Sequence, residues 1–277
     1  MLTTSFVLAH ISDLHIKAAG RLSYQKVDTQ QALQQCIDQL NQLRPAPDAV
    51  VITGDLTDFG RDEEYAEARA LLDQLDLPWF AIPGNHDERS AFRRAFADKS
   101  WLPQDGEFIN WVVDDFPVRI VALDTTVPGQ SWGEFCAQRA DWLGTVLAQQ
   151  PDKPTIVLLH QHPFISGIDH MDRQNLRDSA RLAETLSLAP QVERVLCGHV
   201  HRFMVSQLAG KVVCSAPGTS HQVAPDFTPA SPAHFVLEPA GLLLHRWVAQ
   251  QGTTTHYLPI GHYPGPWPFY DANGLID

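Results

Sequence analysis

A layered α/β fold with largely buried sheets is predicted by three features of the sequence. Short, β-branched apolar runs alternate with segments of helical periodicity. The runs are near-continuous, as in strands covered on both faces. Polar residues collect where these runs end.

The first run, 7-VLAHIS-12, lies in MLTTSFVLAHISDLH, which has no basic leading region and is interrupted by His10 and Asp13. It reads as a strand and not as a secretion signal. Leu33, Ile37 and Leu40 then recur at helical spacing, and AVVIT (49–53) is the next strand. Tyr65, Ala68, Leu71, Leu72 and Leu75 mark a second helix before the strand WFAIP (79–83). Strands RIVALD (119–124), TIVLLH (155–160) and RVLCG (194–198) follow, with helices over 137–150 and 175–188 between them. Beyond residue 200, MVSQL, KVVCSA, HFVLE and LLLHRWV are joined by Gly and Pro turns with no helix between, which predicts a second, mostly antiparallel sheet. Residues 261–277 form an aromatic, Pro-rich tail, expected to pack over the body or against another subunit because left in water it is a liability. With no repeat and no low-complexity linker, 1–277 reads as a single domain.

Composition narrows the function. At 277 residues and 44% hydrophobic the chain can bury a large core, so it is not a disordered segment. The net charge of −12, without any Lys/Arg run, argues against binding duplex nucleic acid or an anionic membrane. No apolar stretch approaches the length of a membrane span. Cys36, Cys136, Cys197 and Cys214 lack ligand-like spacing and read as reduced thiols of a cytoplasmic protein.

The chemistry lies at the strand ends. The first strand runs into Asp13-Leu14-His15, the second into 54-GDLTDFG-60, the third into 84-GNHDERS-90. Strand 155–160 ends at His160, and strand 194–198 at Gly198-His199-Val200-His201. Ligands bind in the crevice beyond the carboxyl ends of strands in open α/β sheets. In an extended segment His199 and His201 point to one side, and Gly198 allows a sharp turn or a close approach. Singly, Asp55 and Asp58 could be turn or cap residues, Asn85 a turn residue and His160 a core histidine. Five turns delivering metal-ligand side chains to one edge is a far more specific pattern than any one of them.

That series, D-x-H, GD-x-x-D, GNHD, a strand-end His and GH-x-H, resembles the calcineurin-like metallophosphoesterases over residues 13–201. ISDLH, PGNHDE, APGTSHQV and the GPW near the C-terminus resemble the bacterial glycerophosphodiesterase branch, and the class III cyclic-nucleotide phosphodiesterases are similar too. The resemblance implies a four-layer α/β/β/α sandwich of two mixed β-sheets with a dinuclear metal centre. It assigns Asp13, His15 and His201 to one ion, Asp55 to a bridge, and Asn85, His160 and His199 to the other. Nitrogen and oxygen donors suit Mn, Fe, Co or Zn. Two such divalent ions, two carboxylates and a bridging hydroxide leave about +1, which draws a small phosphodiester despite the acidic surface.

The implied reaction is in-line attack of the bridging hydroxide on phosphorus. His86 is expected to stabilise the oxyanion or protonate the leaving group, with Asp87 as its orienter, or else to be a structural histidine behind the ligands. His221, in GTSHQ, matches a substrate-lining histidine of the glycerophosphodiesterase branch. Where relatives often read HHPP or HHHP this chain has 160-HQHP-163, so His162 rivals His160 as ligand or faces substrate. Residues 170-HMDRQNLRD-178 look more like the cyclic-nucleotide branch, so glycerophosphodiesters are favoured with 3′,5′-cyclic nucleotides as the alternative. A phosphomonoesterase or a non-catalytic scaffold fits less well. A homo-oligomer is expected from the tail and the resemblance. His234, His245, His256 and His262 read as structural or exposed.

Overall fold

The computed structural model describes residues 4–276. Two mixed sheets pack face to face. One has five strands in the order Gly252–Pro259, Gly241–Val248, Ser5–Ile11, Ala49–Ile52, Trp79–Ala81. Its last three are parallel to one another, and Gly241–Val248 lies antiparallel to Ser5–Ile11. The other has six strands in the order Met204–Leu208, Lys211–Ser215, Val192–Cys197, Thr155–Leu158, Arg119–Ala122, Trp111–Val113, antiparallel only at its two outer pairs.

Side-chain alternation sets the layers. Ile120, Ala122, Ile156 and Leu158 point into the core shared with the five-stranded sheet. Their neighbours Val121, Val157 and Leu159 point the other way, onto Leu143, Val146, Leu147, Leu182 and Leu186 of the helices Ala137–Gln149 and Ser179–Ser187. The helices Thr29–Gln42 and Asp62–Leu72 cover the other side, with Leu33, Ile37, Leu40, Tyr65, Ala68 and Leu72 buried. The result is the four-layer α/β/β/α arrangement. Asp28 starts the first helix by accepting a hydrogen bond from the Gln31 amide at 2.9 Å, a cap worth about 1 kcal/mol.

Three expectations change. The second, mostly antiparallel sheet expected after residue 200 does not form as one: Met204–Leu208 and Lys211–Ser215 extend the six-stranded sheet, and Gly241–Val248 and Gly252–Pro259 complete the five-stranded one. Only two-stranded antiparallel pairs stand apart there among the described residues, Gln222–Val223 with Phe235–Val236 and Tyr270–Asp271 with Gly274–Leu275. Sequence periodicity carries no information about which existing edge a strand will join. The helix expected over 175–188 begins only at Ser179, since Leu176–Arg177 pairs with Gly133–Glu134 and Asp178 turns the chain in a left-handed conformation, φ 58°. The tail does not pack over the body: residues 261–276 are exposed, Trp267 and Phe269 by 73% and 78%. Among the described residues no helix is long and apolar enough to cross a membrane. Cys36, Cys197 and Cys214 are buried as free thiols.

Candidate metal centre

The five strand ends converge on one edge of the sandwich. Ligand atoms of Asp13, His15 and His201 lie within 4.8 Å of one another, as do those of Asp55, His160 and His199, and those of His15, Asp55 and His86. Asp55 stands between the groups: its Oδ2 is 3.6 Å from His15 Nε2 and 3.3 Å from His160 Nε2. Asn85 Oδ1 lies 3.0 Å from His160 Nε2, and Asp13 Oδ1 3.5 Å from His201 Nε2.

Backbone geometry brings these side chains together. Asp13, His15, Asp55, His199 and His201 all have left-handed backbones, with φ between 46° and 70°. Such conformations are uncommon without glycine, cost of order 1–3 kcal/mol each and cluster at functional sites. Gly198 serves close approach: a Cβ there would collide with the Ser12 hydroxyl. A Cβ on Gly84 would collide with Asp55.

Hydrogen bonds fix which imidazole nitrogen faces inward. His160 Nδ1–H donates to Thr53 O at 2.7 Å and His201 Nδ1–H to His221 O at 3.2 Å. His15 Nδ1–H donates to Asp58 Oδ1 at 3.2 Å, and Asp58 is held in turn by Lys17 at 2.6 Å. Each bond leaves Nε2 with a free lone pair, the arrangement of metal-bound histidines. His199 Nε2 is buried without any hydrogen-bond partner.

The electrostatics call for cations. Burial drives the Asp13 carboxyl up to about 6. Burial would raise Asp55 likewise, yet His160, His86 and His15 hold it well below the usual carboxylate range. Burial opposes charge on His160, but the Asp55 carboxylate lifts it to about 9. Two neighbouring buried carboxylates thus need positive charge beside them, which a bound cation would supply. The orphaned Nε2, the two carboxylates and an all-nitrogen-and-oxygen donor set fit divalent ions.

Above these residues opens a cavity of ≈ 340 Å³, lined among others by His15, Asp55, Asn85, His86, His199 and His201. A larger groove of ≈ 680 Å³ between the helices Ala137–Gln149 and Ser179–Ser187 contains none of them. His221 lines the cavity, its ring 4.6 Å from that of His201 and its Nδ1 2.9 Å from Ser220 Oγ. His162 is fully buried and is not among the lining residues. Asp87 does not touch the His86 ring. It accepts bonds from the amides of Leu56, Thr57 and Gly84 and from Tyr65 Oη, so it joins the two loops that carry Asp55 and Asn85. The His86 ring is instead fixed by Asp58, whose carbonyl accepts from Nδ1 at 2.8 Å.

Some residues here escaped the sequence. Asp58 was visible only as the second acid of GD-x-x-D. Tyr24, Phe235 and His234 also line the cavity, and nothing local marks them, whereas His170 comes from the 170–178 segment that resembles the cyclic-nucleotide branch. His234 reaches the cavity from an exposed position, His245 is buried, and His256 and His262 are exposed, in line with the structural-or-exposed reading of all four.

Residues 6–203 match the model of the calcineurin-like phosphoesterases, and the chain belongs to that family. Among individual proteins, it is 42% identical over 273 residues to a probable glycerophosphodiester phosphodiesterase of Arcobacter nitrofigilis, covering 98% of this chain and 100% of the relative. A cAMP/cGMP dual-specificity phosphodiesterase of Mycobacterium tuberculosis is 36% identical over 222 residues, 78% of this chain and 68% of the relative. A dimetal phosphatase from Danio rerio shares the fold at 15% identity, with a TM-score of 0.63 over 92% of this chain and 99% of the other. The family implies a dinuclear divalent-metal site and a phosphoester substrate.

Proposed function

We propose that the protein is a dinuclear metal-dependent phosphodiesterase acting on glycerophosphodiesters. The carrying observation is the convergence of seven nitrogen and oxygen donors, Asp13, His15, Asp55, Asn85, His160, His199 and His201, beneath a cavity with no other charged carboxylate, Lys or Arg in its wall. In this reading Asp13, His15 and His201 would hold one ion and Asn85, His160 and His199 the second, with Asp55 within reach of both. Bound there, the ions supply Lewis acidity and lower the pKa of water at the centre. Mn, Fe, Co and Zn all suit these donors.

The side chains then have distinct tasks. His86, with Nδ1 committed to Asp58 O, turns Nε2 to the substrate, where it stabilises charge on a phosphoryl oxygen or protonates the leaving alcohol. Asp58 keeps the tautomers of both His15 and His86. Asp87 acts by holding the loops and not by orienting His86. His221 and Tyr24, with ring centroids 5.3 Å apart, form an aromatic wall for the alcohol.

The glycerophosphodiester reading draws on a relative matched along nearly its whole length, the cyclic-nucleotide reading on one matched over part. After chelation and Mn²⁺ reconstitution, kcat/KM for glycerophosphoethanolamine is expected to exceed that for 3′,5′-cyclic AMP and for an aryl diester. A preference for cyclic AMP would move the protein to the other branch. Absence of metal-dependent hydrolysis would overturn the enzyme reading. We also infer one domain, because the strands Gly241–Val248 and Gly252–Pro259 finish the sheet begun by Ser5–Ile11. The exposed aromatic tail supports a homo-oligomer, and sedimentation as a monomer at micromolar concentration would remove that claim. Free buried thiols accord with the cytoplasm.

A further inference from the structure

His162 is the one histidine of the sandwich edge with no task so far. Its side chain is buried, and neither ring nitrogen has a hydrogen-bond partner. One face stacks on His199, with centroids 5.7 Å apart and planes at 24°. Its Nε2 lies 3.6 Å from Asp172 Oδ1. That carboxylate gathers the turn before it: Oδ1 accepts from the Ser166 amide and hydroxyl, both at 2.7 Å, and Oδ2 from the Gly167 amide at 3.0 Å. Further along, the Leu176 amide donates to the His162 carbonyl at 3.0 Å. The segment 166–176 is thus fastened to His162 near both ends, and between the fastenings it presents His170, Met171 and Gln174 to the cavity.

We propose that His162 is a positioning residue, which holds the 166–176 wall of the cavity in register with His199. The wall meets the alcohol part of the substrate, so His162 acts on substrate fit from behind the centre without touching substrate. The assignment rests on the diesterase reading of the same cavity. A nitrogen at the Nε2 position carries the tie to Asp172, and the ring face carries the reference to His199.

Three variants of the metal-loaded protein test this. His162→Phe keeps a ring against His199 and removes the nitrogen, His162→Gln keeps a nitrogen near the Nε2 position, and Asp172→Asn alters the other end of the tie. In His162→Phe, amide exchange at Ser166 and Gly167 is expected to quicken about tenfold with the melting temperature little changed, because the buried 3.6 Å contact between Nε2 and the Asp172 carboxylate is lost while the ring against His199 stays. KM for glycerophosphoethanolamine should rise by a similar factor with kcat nearly constant. His162→Gln should restore both. The effects of His162→Phe and Asp172→Asn should fail to add. Unchanged exchange and KM in His162→Phe, or additive effects, would overturn the proposal; if His162→Phe does not fold, His162→Met takes its place, raised exchange and KM supporting the proposal and unchanged values overturning it. If the wild type hydrolyses no diester, the diesterase reading fails, while the exchange measurement still decides whether His162 holds the wall.

Discussion

The two sheets contribute unequally to the proposed metal centre. The ends of the five-stranded sheet supply every oxygen donor, Asp13, Asp55 and Asn85, along with His15. The ends of the six-stranded sheet supply only imidazoles, those of His160, His199 and His201. Each set is held by the other. Thr53 O, from the five-stranded side, orients His160, and the His199 amide donates to Asp13 at 3.0 Å. Gly198 leaves room for Ser12 across the interface. The centre is therefore a polar seam in an otherwise apolar junction, and its geometry depends on the register between sheets.

The sharpest way to break this division is at Asp55, the oxygen donor nearest both histidine sets. Asp55→Ala should lose bound metal and cut kcat/KM about a thousandfold or more, read by metal analysis and hydrolysis rates together. Metal retained at wild-type stoichiometry would refute a bridging carboxylate. His86 contributes no donor to either set in this assignment, so His86→Ala should keep its metal and lose about a hundred- to a thousandfold in turnover. Full activity in that variant would sink its role. Asp58 supports the five-stranded side from one step behind. Asp58→Asn should weaken metal affinity or activity by about ten- to a hundredfold, as loss of a carboxylate behind a ligand histidine does, and a titration with Mn²⁺ separates the two.

The smallest effect concerns stability within the five-stranded side. His10 donates to or accepts from Thr53 Oγ1 at 2.8 Å and His245 Nε2 at 3.3 Å, and burial lowers its pKa from 6.5 to about 3. Between those values the unfolded chain binds a proton that the folded chain refuses, so stability falls as pH drops below 6.5 and the loss levels off near 3. Replacing His10→Gln should remove about 1.4 kcal/mol per pH unit from that slope. An unaltered slope in urea titrations at pH 4 to 6 would show that His10 does not stay neutral.

Much of this site could be read from the sequence, because strand ends are local. Val195-Leu196-Cys197-Gly198 announces a strand and its stop, and metal ligands have few side-chain types to choose from. What stayed hidden depends on tertiary placement. Asp58 and Asp87 look alike in sequence, each an acid close behind a donor residue, yet one orients His15 and His86 while the other sews two loops together. Leu176 has the spacing of a helix residue and is taken by Gly133 into a bridge. Tyr24 and Phe235 come from distant segments and meet only once the sandwich closes.

The left-handed residues carry a warning for genetics. An alanine-scanning survey assumes that deleting a side chain leaves the main chain indifferent. At Asp13, His15, Asp55, His199 and His201 it is not, since alanine holds positive φ poorly, at about 1–2 kcal/mol. Each such variant would score two losses under one label, a missing donor and a reluctant backbone. Glycine replacements at the same positions relax the second loss and expose the first. The difference between the Ala and Gly series would measure, residue by residue, how much of each loss belongs to conformation and how much to chemistry.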